Sequence, residues 1–292
     1  MARIVVTGAG GFIGRHLLAR LADRHEVWAV SRRTEAAQPG IVWVKADLGA
    51  ADALDGLPSS VDAVVHLAQS NLYRTFPGGA ADMLAVNVDA TVRLLDYSVD
   101  AGARAFVLAS SGNVQQGLPT GARPALTFYT ASKAAAELLC LPYAALLRTV
   151  ILRLWTPYGP GQKEKMIPVV IDRVRGGETV TLDGEDGLHF TPTHVDDVVN
   201  CLAAAALNEH WSGIVDVGGP ATVSMRDLAN MAGRLLAKPP LFTLTGRAPP
   251  PPLVPDLTRL RQLTDPQSFV GLEAGLRSVI AMPSGGLRTA LS

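Results

Sequence analysis

Tyr129 and Lys133 stand four residues apart, and both carry side chains suited to proton transfer. Residues at i and i+4 of a helix share a face, so the phenol and the ammonium would lie side by side. A tyrosine has a reference pKa of about 10, and a neighbouring positive charge favours its phenolate form. Ser111, upstream of both, adds a hydroxyl that could hydrogen-bond the same reacting oxygen. We predict that these three residues exchange a proton with a hydroxyl or carbonyl group of a substrate.

Short apolar strands alternate with helical patterns through the first half of the chain and must position these side chains. The predicted strands are Arg3–Thr7, Glu26–Val30, Ile41–Val44, Ala63–Ala68, Ala105–Ala109 and Val150–Leu154. The predicted helices include His16–Leu21, Met83–Ser98 and Tyr129–Leu147, the last interrupted near Pro142. This alternation predicts an α/β fold with a Rossmann-type, doubly wound parallel sheet covered on both faces. Ser111 then lies at the carboxyl end of its strand, the edge where such sheets bind ligands.

The first strand runs directly into a glycine-rich turn. Gly8, Gly11 and Gly14 have G-x-x-G-x-x-G spacing between a strand and a helix. Glycines permit the tight turn and the close approach of backbone to a pyrophosphate, and N–H groups at the helix start favour negative charge. We predict that these glycines, with Phe12 and Ile13, hold a dinucleotide. A nicotinamide cation beside Tyr129 would add to the effect of Lys133 and lower the phenol pKa by roughly 1–3 units.

The residues after the second strand indicate which dinucleotide binds. Many NAD enzymes have an acidic residue there for the ribose hydroxyls, whereas this chain has Ser31, Arg32 and Arg33. A serine and two arginines can bind a 2′-phosphate through charge-assisted hydrogen bonds. The pattern favours NADP(H). NAD(H) stays possible, because the arginines could also be solvent-exposed loop residues that do not contact the cofactor. Asp47 and Leu48, after the third strand, are placed to meet the adenine.

The regular alternation stops after Trp155, where Thr156–Gly161 is rich in turn residues. We predict that residues 1–155 form the dinucleotide-binding domain, joined by about 193–217, where a helix and a strand return to it. Residues 156–192 and 218–292 are predicted to form a smaller, partly interleaved substrate-binding region.

Composition excludes several classes of partner. The 292 residues are 48% hydrophobic, and 26 basic residues balance 26 acidic ones. A net charge of zero gives no reason to expect binding to nucleic acid or to a membrane surface. We see no signal peptide and no apolar run of about 18 residues, so we expect a cytoplasmic protein. The two cysteines are predicted to be buried thiols, and the histidine spacing predicts no metal site.

Taken in order, these motifs resemble the extended short-chain dehydrogenase/reductases, the NAD-dependent epimerase/dehydratase family that includes UDP-galactose 4-epimerases and 4-keto-sugar reductases. The matching segments are Thr7–Gly14, Asp47-Leu48, His66-Leu67-Ala68, Asn87, Ser110-Ser111, Tyr129, Lys133, Arg153–Gly161, His194–Val198 and Asp216–Gly219. The resemblance implies that Ser111, Tyr129 and Lys133 are catalytic and that Lys133 also holds the nicotinamide ribose. It implies that the backbone of Leu67 and Ala68 lies along the cofactor and that Asn87 supports the active-site backbone. It also implies a homodimer formed through the helices of Met83–Ser98 and Tyr129–Leu147.

Several positions depart from the family pattern. The 4,6-dehydratases of the family have an Asp-Glu pair after the catalytic hydroxyl, but Gly112 and Asn113 stand here and cannot serve as acid and base. Thr156 replaces an asparagine near the expected substrate. Of two arginines that often hold a substrate diphosphate, the first position is Phe190, and the second could be Arg247. Phe190 could stack on a substrate ring or belong to the core, and the core interpretation is slightly favoured.

The favoured function is an NAD(P)-dependent oxidoreductase acting on a keto or hydroxyl carbon of a small-molecule sugar, with a nucleotide-linked sugar preferred and reduction the favoured direction. One alternative is an NAD-dependent nucleotide-sugar 4-epimerase using the same three residues. A second is a reductase of a non-nucleotide carbonyl compound. A third is a non-catalytic NADP(H)-sensing protein, against which the presence of Tyr129 and Lys133 counts.

Overall fold

The computed structural model of the chain describes residues 1–117 and 127–282. Its strands are β1 (Arg3–Thr7), β2 (Glu26–Ser31), β3 (Ile41–Lys45), β4 (Ala63–His66), β5 (Ala105–Ser111), β6 (Arg148–Leu154), β7 (Pro157–Tyr158), β8 (Thr179–Leu182), β9 (His189–Phe190), β10 (Thr193–His194), β11 (Gly213–Val217), β12 (Val223–Ser224) and β13 (Leu241–Leu244). Its α-helices are α1 (Phe12–Leu21), α2 (Ala80–Leu84), α3 (Ala90–Asp100), α4 (Asn113–Gly117), α5 (Phe128–Tyr143), α6 (Met166–Gly176), α7 (Val195–Leu207), α8 (Met225–Leu236), α9 (Thr258–Leu263) and α10 (Leu272–Ala281).

A seven-stranded sheet of order β11-β6-β5-β4-β1-β2-β3 forms the centre of the fold. The strands β3, β2, β1, β4 and β5 pair in parallel, with Val5 opposite Trp28 on one side and opposite Val64 on the other. The predicted doubly wound parallel sheet is therefore confirmed. The strand order reverses between β1 and β4, so their carboxyl ends flank the switch point at which such sheets bind ligands.

The chain divides into two compact units. The first comprises Met1–Arg153 and Val199–Val215, compared with the predicted 1–155 and about 193–217. Its strands are nearly continuous apolar runs, as expected for a sheet covered on both faces. Side chains of β1, β4, β5 and α3 share one buried core that includes Val64, Leu94 and Phe106. That core fixes the strand ends at which the predicted site residues lie.

The predicted helix over Met83–Ser98 is divided by a π-helical turn. Residues Ala85–Asp89 form that turn between α2 and α3. A π turn inserts an extra residue into the helical register, and such turns are frequent at functional sites. Asn87 lies within it and is 1% exposed, so the bulge points the asparagine inward.

The second unit comprises Leu154–Val198 and Asp216–Ser292. The helices α6 and α8 pack with short strand pairs around an apolar core that includes Ile171 and Leu228. Ser224 caps α8 by accepting a hydrogen bond from the Asp227 N–H, and Asp227 reciprocates, as in a capping box. The end of the predicted substrate region, 283–292, lies outside the described residues.

Both cysteines, Cys140 and Cys201, are buried, as predicted. No helix in the described ranges 1–117 and 127–282 is long and apolar enough to cross a membrane.

Candidate active site

The glycine turn after β1 is required by close backbone approaches. Gly8 has φ of +68°, the left-handed region in which a side chain is strained. A Cβ at Gly8 would also lie 2.7 Å from the Ala68 nitrogen. A Cβ at Gly14 would collide with the backbone of Gly8 and Ala9. The turn therefore packs directly against the chain that leaves β4, and only glycine fits at both positions.

The start of α1 has the properties of a pyrophosphate site. Its N-cap residue, Gly11, supplies no side-chain hydrogen bond to the helix, and the first turn contains no acidic residue. The N–H groups of Phe12, Ile13 and Gly14 therefore lack the side-chain cap that most helices place there, and the helix dipole favours an anion. A Cβ at Gly10 would lie 2.8 Å from Ser31 Oγ, so glycine keeps open the space between the turn and the end of β2. These residues fit the predicted dinucleotide.

A buried pair of polar side chains ties the two flanking strands together. Thr7 Oγ1 and His66 Nδ1 lie 2.6 Å apart, and the Ala68 N–H donates to Thr7 Oγ1 at 3.4 Å. Burial, followed by the charge of Lys133, lowers the pKa of His66 to about 3. His66 is therefore neutral and contacts Thr7, which accepts the N–H groups of Leu67 and Ala68.

Two exposed arginines follow directly after β2. Arg32 and Arg33 are exposed, and neither guanidinium has a carboxylate partner among the described residues. Arg15, by contrast, forms an ion pair with Glu35 at 2.6 Å. Two positive charges thus remain available beside Ser31.

The two residues predicted to meet the adenine follow β3. Asp47 is exposed and accepts the Gly49 N–H at 3.1 Å. Leu48 is 6% exposed and belongs to the core of the first unit. The structure therefore leaves Asp47 accessible and buries most of Leu48.

Tyr129, Lys133 and Ser111 converge at the carboxyl end of β5. Thr127 caps α5 by accepting the Thr130 N–H at 3.1 Å, which places Tyr129 in the first turn. Lys133 Nζ donates to the carbonyl of Ala109 at 3.0 Å. The Ser111 hydroxyl lies near enough to the phenol of Tyr129 to lower its pKa. The phenol therefore lies near the hydroxyl at the strand end, while the ammonium of Lys133, one helical turn away, is bound to the backbone of β5.

The expectation of a lowered phenol pKa is not met in the protein chain itself. Burial raises the pKa of Tyr129 to about 12, outweighing the opposing effect of the nearby Ser111 hydroxyl. Burial also lowers the pKa of Lys133 to about 8, partly offset by the charge of Glu137. The ammonium donates to a carbonyl of β5, so its charge does not stabilise the phenolate as the spacing alone suggested. Tyr129 is held as a neutral proton donor.

Asn87 connects the segments on either side of the phenol. Its Oδ1 accepts the Ser70 N–H at 2.9 Å, and its Nδ2 donates to Ser132 Oγ at 2.9 Å. Ser132 Oγ in turn donates to the Tyr129 carbonyl at 2.8 Å. One buried amide thus fixes the loop after β4 and the first turn of α5.

A buried ion pair beneath the site was not predicted. Glu137 lies one turn after Lys133, is 4% exposed, and accepts two-pronged contacts from Arg153. Ser110 Oγ donates to the same carboxylate at 2.5 Å. A charged residue at 153 within an apolar strand pattern was the signal that could have revealed this pair.

Two neighbours of the phenol were also missed. Tyr129 Oη donates to Gln69 Oε1 at 3.3 Å. The ring of Tyr73 lies 5.5 Å from the ring of Tyr129, and the guanidinium of Arg74 lies over Tyr73. Both neighbours, and Arg74 with them, come from the loop after β4, for which no periodic pattern predicts the conformation.

The three predicted substrate residues lie in the second unit. Phe190 has no exposed surface and packs in the core of that unit, which confirms the favoured core interpretation and contradicts the prediction that it binds substrate. Arg247 is exposed and lies 3.4 Å from Asp183. Thr156 has φ of +37°, a left-handed conformation that a β-branched residue rarely adopts.

The chain is similar in sequence and fold to known proteins. Residues 4–218 match the model of the family described as "NAD dependent epimerase/dehydratase family". A dTDP-glucose 4,6-dehydratase of Streptomyces antibioticus is 30% identical over 78% of this chain and 75% of that protein. A dTDP-4-dehydro-6-deoxy-D-allose reductase of Streptomyces bikiniensis is 27% identical over 94% of this chain and 95% of that protein. The solved structure of MoeE5 in complex with UDP-glucuronic acid and NAD is 30% identical, with a TM-score of 0.79 over 96% of this chain and 98% of that one.

Proposed function

The chain belongs to the NAD-dependent epimerase/dehydratase family of extended short-chain dehydrogenase/reductases, and we propose that it reduces a keto carbon of a nucleotide-linked sugar. The observation that carries this proposal is the convergence of Ser111, Tyr129 and Lys133 at the carboxyl end of β5. The reductase of Streptomyces bikiniensis, similar over nearly its whole length, supports a sugar substrate. Gly112 and Asn113 argue against dehydration, because neither can act as acid or base.

Each residue of the site has a defined part in this reaction. A bound nicotinamide cofactor supplies the hydride that adds to the carbonyl carbon. Tyr129, neutral because burial raises its pKa, donates its proton to the carbonyl oxygen as negative charge develops there. Ser111 hydrogen-bonds the same oxygen and orients it. Lys133 holds the ribose, and it is protonated below about pH 8.

The cofactor we propose is NADP(H). The exposed guanidinium groups of Arg32 and Arg33 beside Ser31 supply charge for a 2′-phosphate. NAD(H) is the alternative, and it is the cofactor bound in the MoeE5 structure.

A second candidate is a nucleotide-sugar 4-epimerase. The same three residues would assist oxidation of the sugar hydroxyl by one retained nicotinamide cofactor, and, after the keto sugar has rotated, its reduction by the same cofactor. The family that the chain matches includes epimerases, which keeps this candidate open.

A homodimer remains a prediction. The helix α5 exposes Leu138 to 63% and Leu141 to 49%, which supports pairing with a second copy through this helix. We expect Leu138→Glu to convert a dimer to a monomer in light scattering. Leu244→Glu, at another exposed leucine in β13, is the matched control.

The deciding experiment begins with the cofactor and small molecules that co-purify, identified by mass. Turnover of UDP- and dTDP-linked sugars is then measured with and without added NADPH. Net reduction that requires NADPH supports the reductase, whereas turnover without any added nicotinamide favours the epimerase.

A Tyr129→Phe variant tests the assigned proton donor. We expect it to lose about 10²–10⁴-fold in rate while it retains the cofactor. Tyr97→Phe is the control, because Tyr97 donates to the Pro58 carbonyl, away from the three catalytic residues. Unchanged activity of the Tyr129 variant would refute tyrosine-based catalysis.

A further inference from the structure

Gln69 occupies the position of a hydrogen-bond acceptor for the catalytic phenol. Its Oε1 accepts from Tyr129 Oη at 3.3 Å, and its side chain is partly buried. Gln69 follows Ala68, whose backbone packs against the glycine turn. The carboxamide therefore contacts the phenol from a segment whose preceding residue packs against the glycine turn.

The contact between Gln69 and the phenol is fixed by the surrounding structure. Asn87 binds the N–H of Ser70, the residue after Gln69, and it also binds Ser132, which holds the carbonyl of Tyr129. Ser70 Oγ donates in addition to Asp82. A single buried amide thus sets the distance between the segments that carry Gln69 and Tyr129.

The phenol proton defines where a substrate oxygen must lie. In the proposed reaction Tyr129 delivers its proton to the reacting oxygen, so that oxygen must replace Gln69 Oε1 as the acceptor. The displaced carboxamide then lies beside the reacting oxygen, with both a donor and an acceptor available. In a sugar, the next polar group along the ring is the hydroxyl on the neighbouring carbon.

We propose that Gln69 binds the hydroxyl next to the reacting carbon, and that the enzyme therefore selects α-hydroxy ketones and vicinal diols over their deoxy analogues. This inference rests on the proposed function. A carboxamide suits this role because it is uncharged, whereas a carboxylate at the same place would favour the protonated phenol still further. It can also donate or accept, so it serves a hydroxyl in either configuration.

The test compares Gln69→Leu with the wild-type holoenzyme on matched substrates. The probes are dTDP-4-keto-6-deoxyglucose and its 3-deoxy analogue, with UDP-glucose and UDP-3-deoxyglucose for binding by calorimetry. We expect Gln69→Leu to lose about tenfold in kcat/KM, or in affinity, toward the hydroxylated member of each pair. Toward the deoxy member it should stay within about twofold of wild type.

The deoxy analogue lacks the hydroxyl that Gln69 is proposed to bind, so it separates the loss of that contact from any effect of the substitution on Tyr129. If Gln69 acted only on Tyr129, both members of a pair would lose activity equally, and that result would overturn the inference while leaving the proposed function intact. Failure of the wild-type protein to bind or turn over every nucleotide sugar would overturn both. Gln262→Leu, at an exposed glutamine in α9, is the matched control for the substitution.

Discussion

Arg153 and Glu137 form a two-pronged ion pair whose nitrogen–oxygen distances are 2.7–3.1 Å. The side chains are 15% and 5% exposed, and Ser110 donates to the same carboxylate. The pair joins β6, α5 and the end of β5, directly beneath the catalytic residues. Desolvation makes such a pair costly to break, because the remaining charge stays buried without a partner.

We therefore expect Glu137→Gln to lower the free energy of unfolding by about 3 kcal/mol. Urea denaturation followed by circular dichroism measures this. Glu273→Gln is the matched control, because Glu273 pairs with Arg277 on the surface, where ion pairs contribute little. Equal effects of the two substitutions would show that the buried pair does not stabilise the fold.

The pKa of Lys133 predicts how stability changes with pH. The folded protein binds the lysine proton with a pKa of about 8, against 10.5 for the ordinary group. Between those values the unfolded chain holds more protons, so stability should rise with pH. The wild type should gain about 2 kcal/mol relative to Lys133→Met as pH rises from about 8 to about 10.

Unfolding free energies of the wild type and Lys133→Met across this range measure the difference. Lys45→Met removes an exposed lysine from β3 and is the matched control. A constant difference between the wild type and Lys133→Met would mean that burial does not disfavour the ammonium.

Thr156 stores backbone strain, because its φ of +37° is unfavourable for a β-branched residue. Asparagine tolerates the left-handed region far better. We expect Thr156→Asn to raise the free energy of unfolding by about 1 kcal/mol. The backbone contact from the Thr193 N–H to the Thr156 carbonyl does not depend on the side chain and should persist.

Thr181→Asn is the matched control, since Thr181 is exposed in β8 and asparagine is a poorer strand residue. Thermal unfolding should therefore move in opposite directions for the two variants. A destabilised Thr156→Asn would show instead that contacts of the threonine outweigh the strain.

The glycine turn and the parallel sheet were predictable because both follow from local patterns. Glycine is required at positions 8 and 14 because neighbouring backbone lies too close for a side chain, as in other strand–turn–helix motifs of this kind. The π turn around Asn87 was not predictable, because one extra residue barely disturbs a helical period.

The pKa values of the site residues could not be predicted from the sequence either. Spacing placed Lys133 beside Tyr129, but burial decides both pKa values, and burial depends on the whole fold. The contact from Tyr129 to Gln69 joins residues 60 apart in the chain, and no local pattern records it.

Cofactor preference depends on the exposed arginines after β2. If Arg32 and Arg33 bind a 2′-phosphate, replacing both with alanine should weaken NADPH binding at least tenfold, because charge-assisted hydrogen bonds to phosphate are lost. NADH binding should change by less than about twofold, since NADH lacks that phosphate. Fluorescence titration of the purified protein with each cofactor measures both affinities.

Ser31→Asp provides the converse test of cofactor preference. A carboxylate at the end of β2 would repel the 2′-phosphate and could accept the ribose hydroxyls, so preference should shift toward NADH. For the variant in which both Arg32 and Arg33 are alanine, NADPH binding should also depend less on salt concentration, because two charges have been removed. Tighter binding of NADH than of NADPH by the wild-type protein would contradict the proposed preference and assign Arg32 and Arg33 to solvation of the loop.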